Sequence, residues 1–175
     1  MGDLMAYIQK LELFGFFSGY CLLYSLIFSF QKPSNSKAQT LLEKVAKLLP
    51  YAYALTATLY AAMIVKNISL NISIRNFKEQ FQLPYLQIIA LLALLFWIPF
   101  FSKRKILSLL HSLVFFTYLL MDIFLLSQRV EGKELMYNDM KLFTDSLLLN
   151  LTTIMLVVIL YFFFTIYRKK RDFTA

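Results

Sequence analysis

The fold class that the sequence predicts is an all-α integral membrane protein, a single bundle of about five transmembrane helices, with four as the alternative. A short amphipathic helix is expected on its cytoplasmic side. Three observations predict this. Of the 175 residues, 59% are hydrophobic and 17% aromatic, above the roughly 45–50% apolar usage of soluble domains. Five apolar runs approach the roughly 17–25 residues that a spanning helix needs, at Leu13–Phe30, Leu48–Val65, Leu83–Phe101, Ile106–Gln128 and Leu147–Tyr167. The connectors between them are too short to bury a core of their own, so residues 1–175 are expected to form one multi-pass transmembrane domain.

The first run is expected to be a retained span. Asp3, Lys10 and Glu12 leave its flank without a positive excess, and no small-x-small cleavage pattern follows. Within it, Gly15 and Gly19 form a small-xxx-small pair, and Ala54, Thr58 and Ala62 repeat that spacing in the second run. Small residues let helix backbones approach closely, which is a main source of association where lipid is as apolar as the side chains. Packing inside the chain and a homo-oligomer seam are both readings of this pattern.

Between the first two runs, the breaker stretch Lys32-Pro33-Ser34-Asn35-Ser36 precedes a segment whose Ala38, Leu41, Leu42, Val45, Leu48 and Leu49 cover one arc. Lys37, Lys44 and Lys47 lie beside that arc, and Pro50 follows. This predicts an amphipathic helix lying on the membrane, or an extension of the second span. After the second run, residues 67–74 alternate polar and apolar, which favours a short strand. The acceptor patterns for N-glycosylation at Asn67 and Asn71 are read as chance, because the Ile-, Leu-, Phe-, Lys- and Asn-rich usage suggests an AT-rich bacterium.

The fourth run carries the most informative feature. At about 100° per residue, Ser108, His111, Tyr118 and Asp122 fall in one stripe of a helix, and Arg104 and Arg129 continue it at either end. An ionisable group in lipid is costly and by default a functional-site hypothesis. His111 and Asp122 lie eleven residues apart, about 16 Å along the axis, so each needs its own partner. The partners expected for Asp122 are Tyr118, Lys66, Gln87, Asn150 or Thr153, and those for His111 are Ser25, Tyr53, Thr56, Tyr161 or Ser108.

Charge sets the threading. With five spans, Lys32, Lys37, Lys44, Lys47, Lys103, Arg104, Lys105 and Arg168 to Arg171 collect eleven basic residues on one side, against seven on the other. The positive-inside rule then puts the N-terminus outside and the C-terminus in the cytoplasm of a plasma membrane, here a bacterial inner membrane. The net charge of +8 lies in juxtamembrane clusters with no aromatic platform, so anionic lipid rather than nucleic acid is the expected contact.

Counting excludes several chemistries. One cysteine, Cys21, forms no intrachain disulfide, and one histidine, His111, does not ligate a haem through two imidazoles. No lysine lies deep in a span for a retinal Schiff base, and no second buried acid serves a two-aspartate protease. No Gly-x-Ser-x-Gly elbow or metal-ligand spacing occurs. The spacing of Arg104 and His111 resembles the Arg…His signature of HEPN-type ribonucleases. Lys105 nevertheless stands where those enzymes place a polar amide or acid, and the histidine lies inside a span. The expectation is a non-enzymatic membrane subunit or scaffold without cofactor or metal, meeting copies of itself or other membrane subunits through helix packing. The alternative is an oligomeric channel or proton-coupled carrier lined by the His111 and Asp122 helix.

Overall fold

The computed structural model describes residues 2–29, 37–70, 84–127 and 132–172, and side chains over most of these. Among them only Ser18, Gly19, Ile98, Lys103 and Arg104 lie outside helices, and no strand is present. In chain order the helices are α1 (Gly2–Phe17), α2 (Tyr20–Ser29), α3 (Lys37–Leu70), α4 (Pro84–Leu91), a 3-10 helix (Leu92–Trp97), α5 (Pro99–Ser102), α6 (Lys105–Ser127) and α7 (Gly132–Asp172). Four stretches are long and apolar enough to cross a membrane: Tyr7–Ser29, Thr40–Asn67, Lys105–Leu125 and Met140–Arg168.

The expected third span, Leu83–Phe101, is not one continuous helix. Proline restricts the residue before it to extended backbone, and Ile98 before Pro99 indeed sits at φ −77°, ψ 128°. A helix starting at Pro84 therefore ends by Trp97, short of spanning length. Its second half tightens to 3-10 pitch, where residues three apart eclipse. Gln87, Ala90, Ala93 and Phe96 are buried at that spacing. Because a 3-10 helix rises about 2.0 Å per residue, Pro84–Trp97 still extends about 24 Å.

Contacts give the direction of each helix. Phe16 meets Tyr60 and Tyr20 meets Tyr53, so α3 runs antiparallel to α1 and α2. Lys10 pairs with Asp122 and Tyr20 with Ser108, so α6 is antiparallel to them as well. Gly15 faces Leu142 and Gly19 faces Ser146 and Leu147, so α7 runs alongside them in parallel. Helices α3 and α6 thus point the same way, and the broken segment from Pro84 to Ser102 makes the return between them. One end of the bundle carries Lys10 and Asp122. The other carries Lys47, Tyr51, Ser102 and Lys105, with Trp97 and Thr58 bonded one to two turns inward.

One further expectation resolves to the second of its two forms, an extension of the second span, and another is corrected. The segment before Pro50 is not a separate surface helix: Lys37–Leu70 is one helix of 34 residues with Pro50 inside it. Ala46, whose carbonyl Pro50 crowds, is small and buried, and Leu49 and Pro50 are buried beside it. Packing on both sides of the proline outweighs its local cost. Residues 67–70 of the alternating stretch are the last turn of the same helix, so they form no strand. Residues 71–74 and the breaker run 32–36 lie outside the described residues.

The core is aromatic. Phe17, Tyr20, Tyr53, Tyr60 and Phe115 are fully or almost fully buried, and the rings of Phe17 and Phe115 lie 5.1 Å apart.

Candidate functional site on the polar face of α6

The buried face of α6 consists of Ser108, Ser112, Phe115 and Leu119, a run at four- and three-residue spacing that makes one helical seam. On a helical wheel its centre lies about 70° from His111. The expected stripe is therefore rotated relative to the real interior. Ser108 is buried, His111 and Asp122 are half-buried, and Tyr118 faces outward with 43% exposure. Arg104 lies before the helix with its guanidinium 5.0 Å from the Phe100 ring centre, and Arg129 is outside the described residues. The periodic signal missed Ser112, which stands four residues after Ser108 and in register with Phe115 and Leu119.

His111 sits within an aromatic cage. Its ring lies 5.5–6.3 Å from those of Phe17, Tyr53, Phe96 and Phe115. Nε2–H donates to the Ile89 carbonyl at 2.7 Å, an acceptor that fixes the tautomer, so Nδ1 accepts the Tyr53 hydroxyl proton at 2.8 Å. Tyr53 was among the expected partners. The Ile89 carbonyl was not: it lies just before the change from α to 3-10 pitch, where the carbonyls reorient, and no side-chain inventory contains it. Both ring nitrogens are occupied in this neutral form.

Asp122 takes a partner that sequence reasoning did not consider. Its Oδ1 lies 2.5 Å from Lys10 Nζ, while Oδ2 is buried without a hydrogen-bond partner. Lys10 is in reach because α1 begins at Gly2 rather than at the apolar boundary near Leu13. Among the residues expected for this role, Asn150 and Thr153 bond elsewhere and Tyr118 points outward. Gln87 is buried with its Oε1 unpartnered. Phe115 and Leu119 fill the face between His111 and Asp122. The two titratable groups are separate stations with apolar packing between them.

The other interior polar groups serve the backbone. The break at Ser18 and Gly19 interrupts the α-helical ladder, exposing donors and acceptors that must be satisfied when buried. Ser112 Oγ donates to the Phe17 carbonyl at 2.7 Å and accepts the Cys21 N–H at 3.1 Å. Ser146 Oγ accepts the Gly19 N–H at 2.9 Å, and Asn150 Nδ2 donates to the Phe16 carbonyl at 3.0 Å. Thr56 bonds both Asn150 and Thr153 across the α3–α7 seam.

The small-residue motifs close this packing. A Cβ on Gly19 would stand 2.6 Å from the Leu147 nitrogen, and Gly15 and Gly19 both face α7 of the same chain. Ala54 is buried, Thr58 accepts the Trp97 indole N–H at 2.9 Å, and Ala62 is exposed. No group of three or more His, Cys, Asp or Glu that could hold a metal occurs among the described residues. Comparison with protein-family models, with curated proteins and with solved structures gives no match.

Proposed function

We propose that this chain is a non-enzymatic multi-pass membrane protein that acts as a subunit or scaffold through helix packing, seated in a bacterial inner membrane. The observation that carries the reading is how its interior polar groups are used. Ser112, Ser146, Asn150 and His111 each bond backbone that a helix break or pitch change leaves open, and Asp122 pairs with Lys10. Such contacts hold a bundle together, and they leave neither titratable residue facing a continuous polar path. The surface offered to a second copy or another membrane subunit is the exposed half of α7 from Met155 to Tyr167. Lys44, Lys47, Lys103, Arg104, Lys105 and Arg168 gather at one end of the bundle, which supports a cytoplasmic C-terminus and an external N-terminus.

Reconstituted vesicles test this against a proton or ion carrier. His111→Ala and Asp122→Asn are expected to lower thermal stability in detergent, and no variant or wild-type chain is expected to pass a pH-dependent flux. Asp122→Leu is expected to destabilise more than Asp122→Asn, by about 1–2 kcal/mol, because the amide keeps a hydrogen-bond acceptor for Lys10. A robust flux that His111→Ala abolishes while the fold stays intact would replace this reading with the carrier.

A further inference from the structure

The basic end of the bundle contains a cavity of about 300 Å³ lined by Lys47 and Tyr51 of α3, Ser102 of α5, and Lys103 and Lys105 at the start of α6. Three lysines from two parts of the chain line it together with two hydroxyl-bearing residues. The only ion pair among the described residues is Lys10 with Asp122 at the opposite end, so none of these lysines is ion-paired with a described carboxylate. Ser102, itself buried, donates its hydroxyl proton to the Tyr51 oxygen at 2.9 Å. The Tyr51 proton therefore points elsewhere, and it has no acceptor among the described residues. Arg104, the adjacent cation, is drawn aside over the Phe100 ring. A cavity with three positive charges and an uncommitted O–H donor lacks one thing, a compact anion with several acceptor oxygens.

We propose that this cavity binds a phosphate-bearing anion, and that its occupant is the headgroup of an anionic phospholipid. The apolar rim favours lipid over free phosphate. Ile106 follows Lys105 directly, Phe100 and Ile98 lie two and four residues before Ser102, and the Trp97 ring is 6.4 Å from that of Tyr51; all four are 47–65% exposed, offering a surface for acyl chains beside the headgroup. A zwitterionic lipid, which carries its own ammonium, fits the three lysines less well. The choice of lipid rests on the membrane reading above, whereas the phosphate chemistry does not.

The test uses the full chain purified in detergent, with phosphatidylglycerol and phosphatidylcholine retention measured by native mass spectrometry. Wild type is expected to hold phosphatidylglycerol over phosphatidylcholine by about tenfold, and the triple variant Lys47→Gln, Lys103→Gln, Lys105→Gln to lose that preference. Lys44→Gln and Lys66→Gln, which alter exposed lysines outside the cavity, are expected to leave it unchanged. If the triple variant does not fold, Tyr51→Phe is read instead, with an expected loss of about twofold to fivefold. Equal retention by cavity and control variants would overturn the site. A second arm follows protection of Lys103 and Lys105 from acetylation by inorganic phosphate. Protection at concentrations where phosphatidylglycerol gives none would support the phosphate chemistry and overturn the lipid as occupant. Release of the chain from membranes by alkaline extraction would overturn the membrane reading alone, because the phosphate arm remains measurable in solution.

Discussion

The two halves of α7 differ in how much of their surface the bundle covers. From Met140 to Ile154 the helix carries Ser146, Asn150 and Thr153 on one face, and all three are buried against α1, α2 and α3. From Met155 to Tyr167 it is more aromatic and more apolar, with Tyr161, Phe162, Phe163, Phe164 and Tyr167, yet these side chains stay exposed, Phe164 at 72%. In water this pattern would be inverted, since the larger apolar surface would be buried first. In a bilayer, lipid offers apolar side chains as good a neighbour as protein does. Small residues and hydrogen bonds then decide which face packs. The contrast within one helix is thus itself an argument for a lipid setting.

The largest effect expected from breaking this contrast comes at Gly19. Gly19→Ala places a methyl carbon 2.6 Å from the Leu147 nitrogen and 2.7 Å from the Ser146 carbonyl carbon. These are backbone atoms, so the helices must part, at a cost of about 3 kcal/mol. Gly15→Ala is the matched control, because its nearest contact is the flexible end of Leu142 at 3.3 Å. Its expected cost is under about 1 kcal/mol. Thermal unfolding of both variants in the same detergent checks the pair, and equal melting temperatures would refute the close backbone contact.

A smaller loss is expected on removing the polar contact itself. Asn150→Leu keeps volume and raises apolarity but leaves the Phe16 carbonyl without its donor at 3.0 Å. The expected destabilisation is about 1–2 kcal/mol. A stabilised protein would show that apolarity and not hydrogen bonding packs this half of α7. The smallest effect belongs to the other half. Phe164→Leu, at a side chain 72% exposed, is expected to change stability by less than about 0.5 kcal/mol. The same substitution is expected to weaken assembly if this face meets a second subunit, which size measurements in nanodiscs read separately.

The polar stripe shows where sequence periodicity is informative and where it fails. Spacing alone assigned Ser108, His111 and Asp122 to roughly the inward side, and three in four of the stripe residues within α6 are at least half-buried. A helical wheel does not carry its own origin, however, and the actual interior is centred on Ser108, Ser112, Phe115 and Leu119. Tyr118 was thereby placed inside although it points out. Partner choice was less legible still. Tyr53 was one of five residues expected for His111 by depth, and it is the one that bonds it. Lys10 was overlooked because it sits before the apolar run, where composition gave no reason to continue a helix.

The sequence by itself determined the helical class, the long apolar helices and the clustering of basic residues toward one end. Each depends on local composition and on the length of an apolar run, quantities that do not require knowledge of neighbours. Pro99 even contained the reason that the third run stops short, though run length was weighed ahead of it. Only the tertiary structure decided that Pro50 lies inside a continuous helix, that Gly19 touches the backbone of α7, and which carbonyls Ser112, Asn150 and His111 bond. Those outcomes depend on backbone groups opened by helix breaks and pitch changes. Such groups have no side-chain signature, and they acquire partners only when two helices meet at a particular depth and rotation.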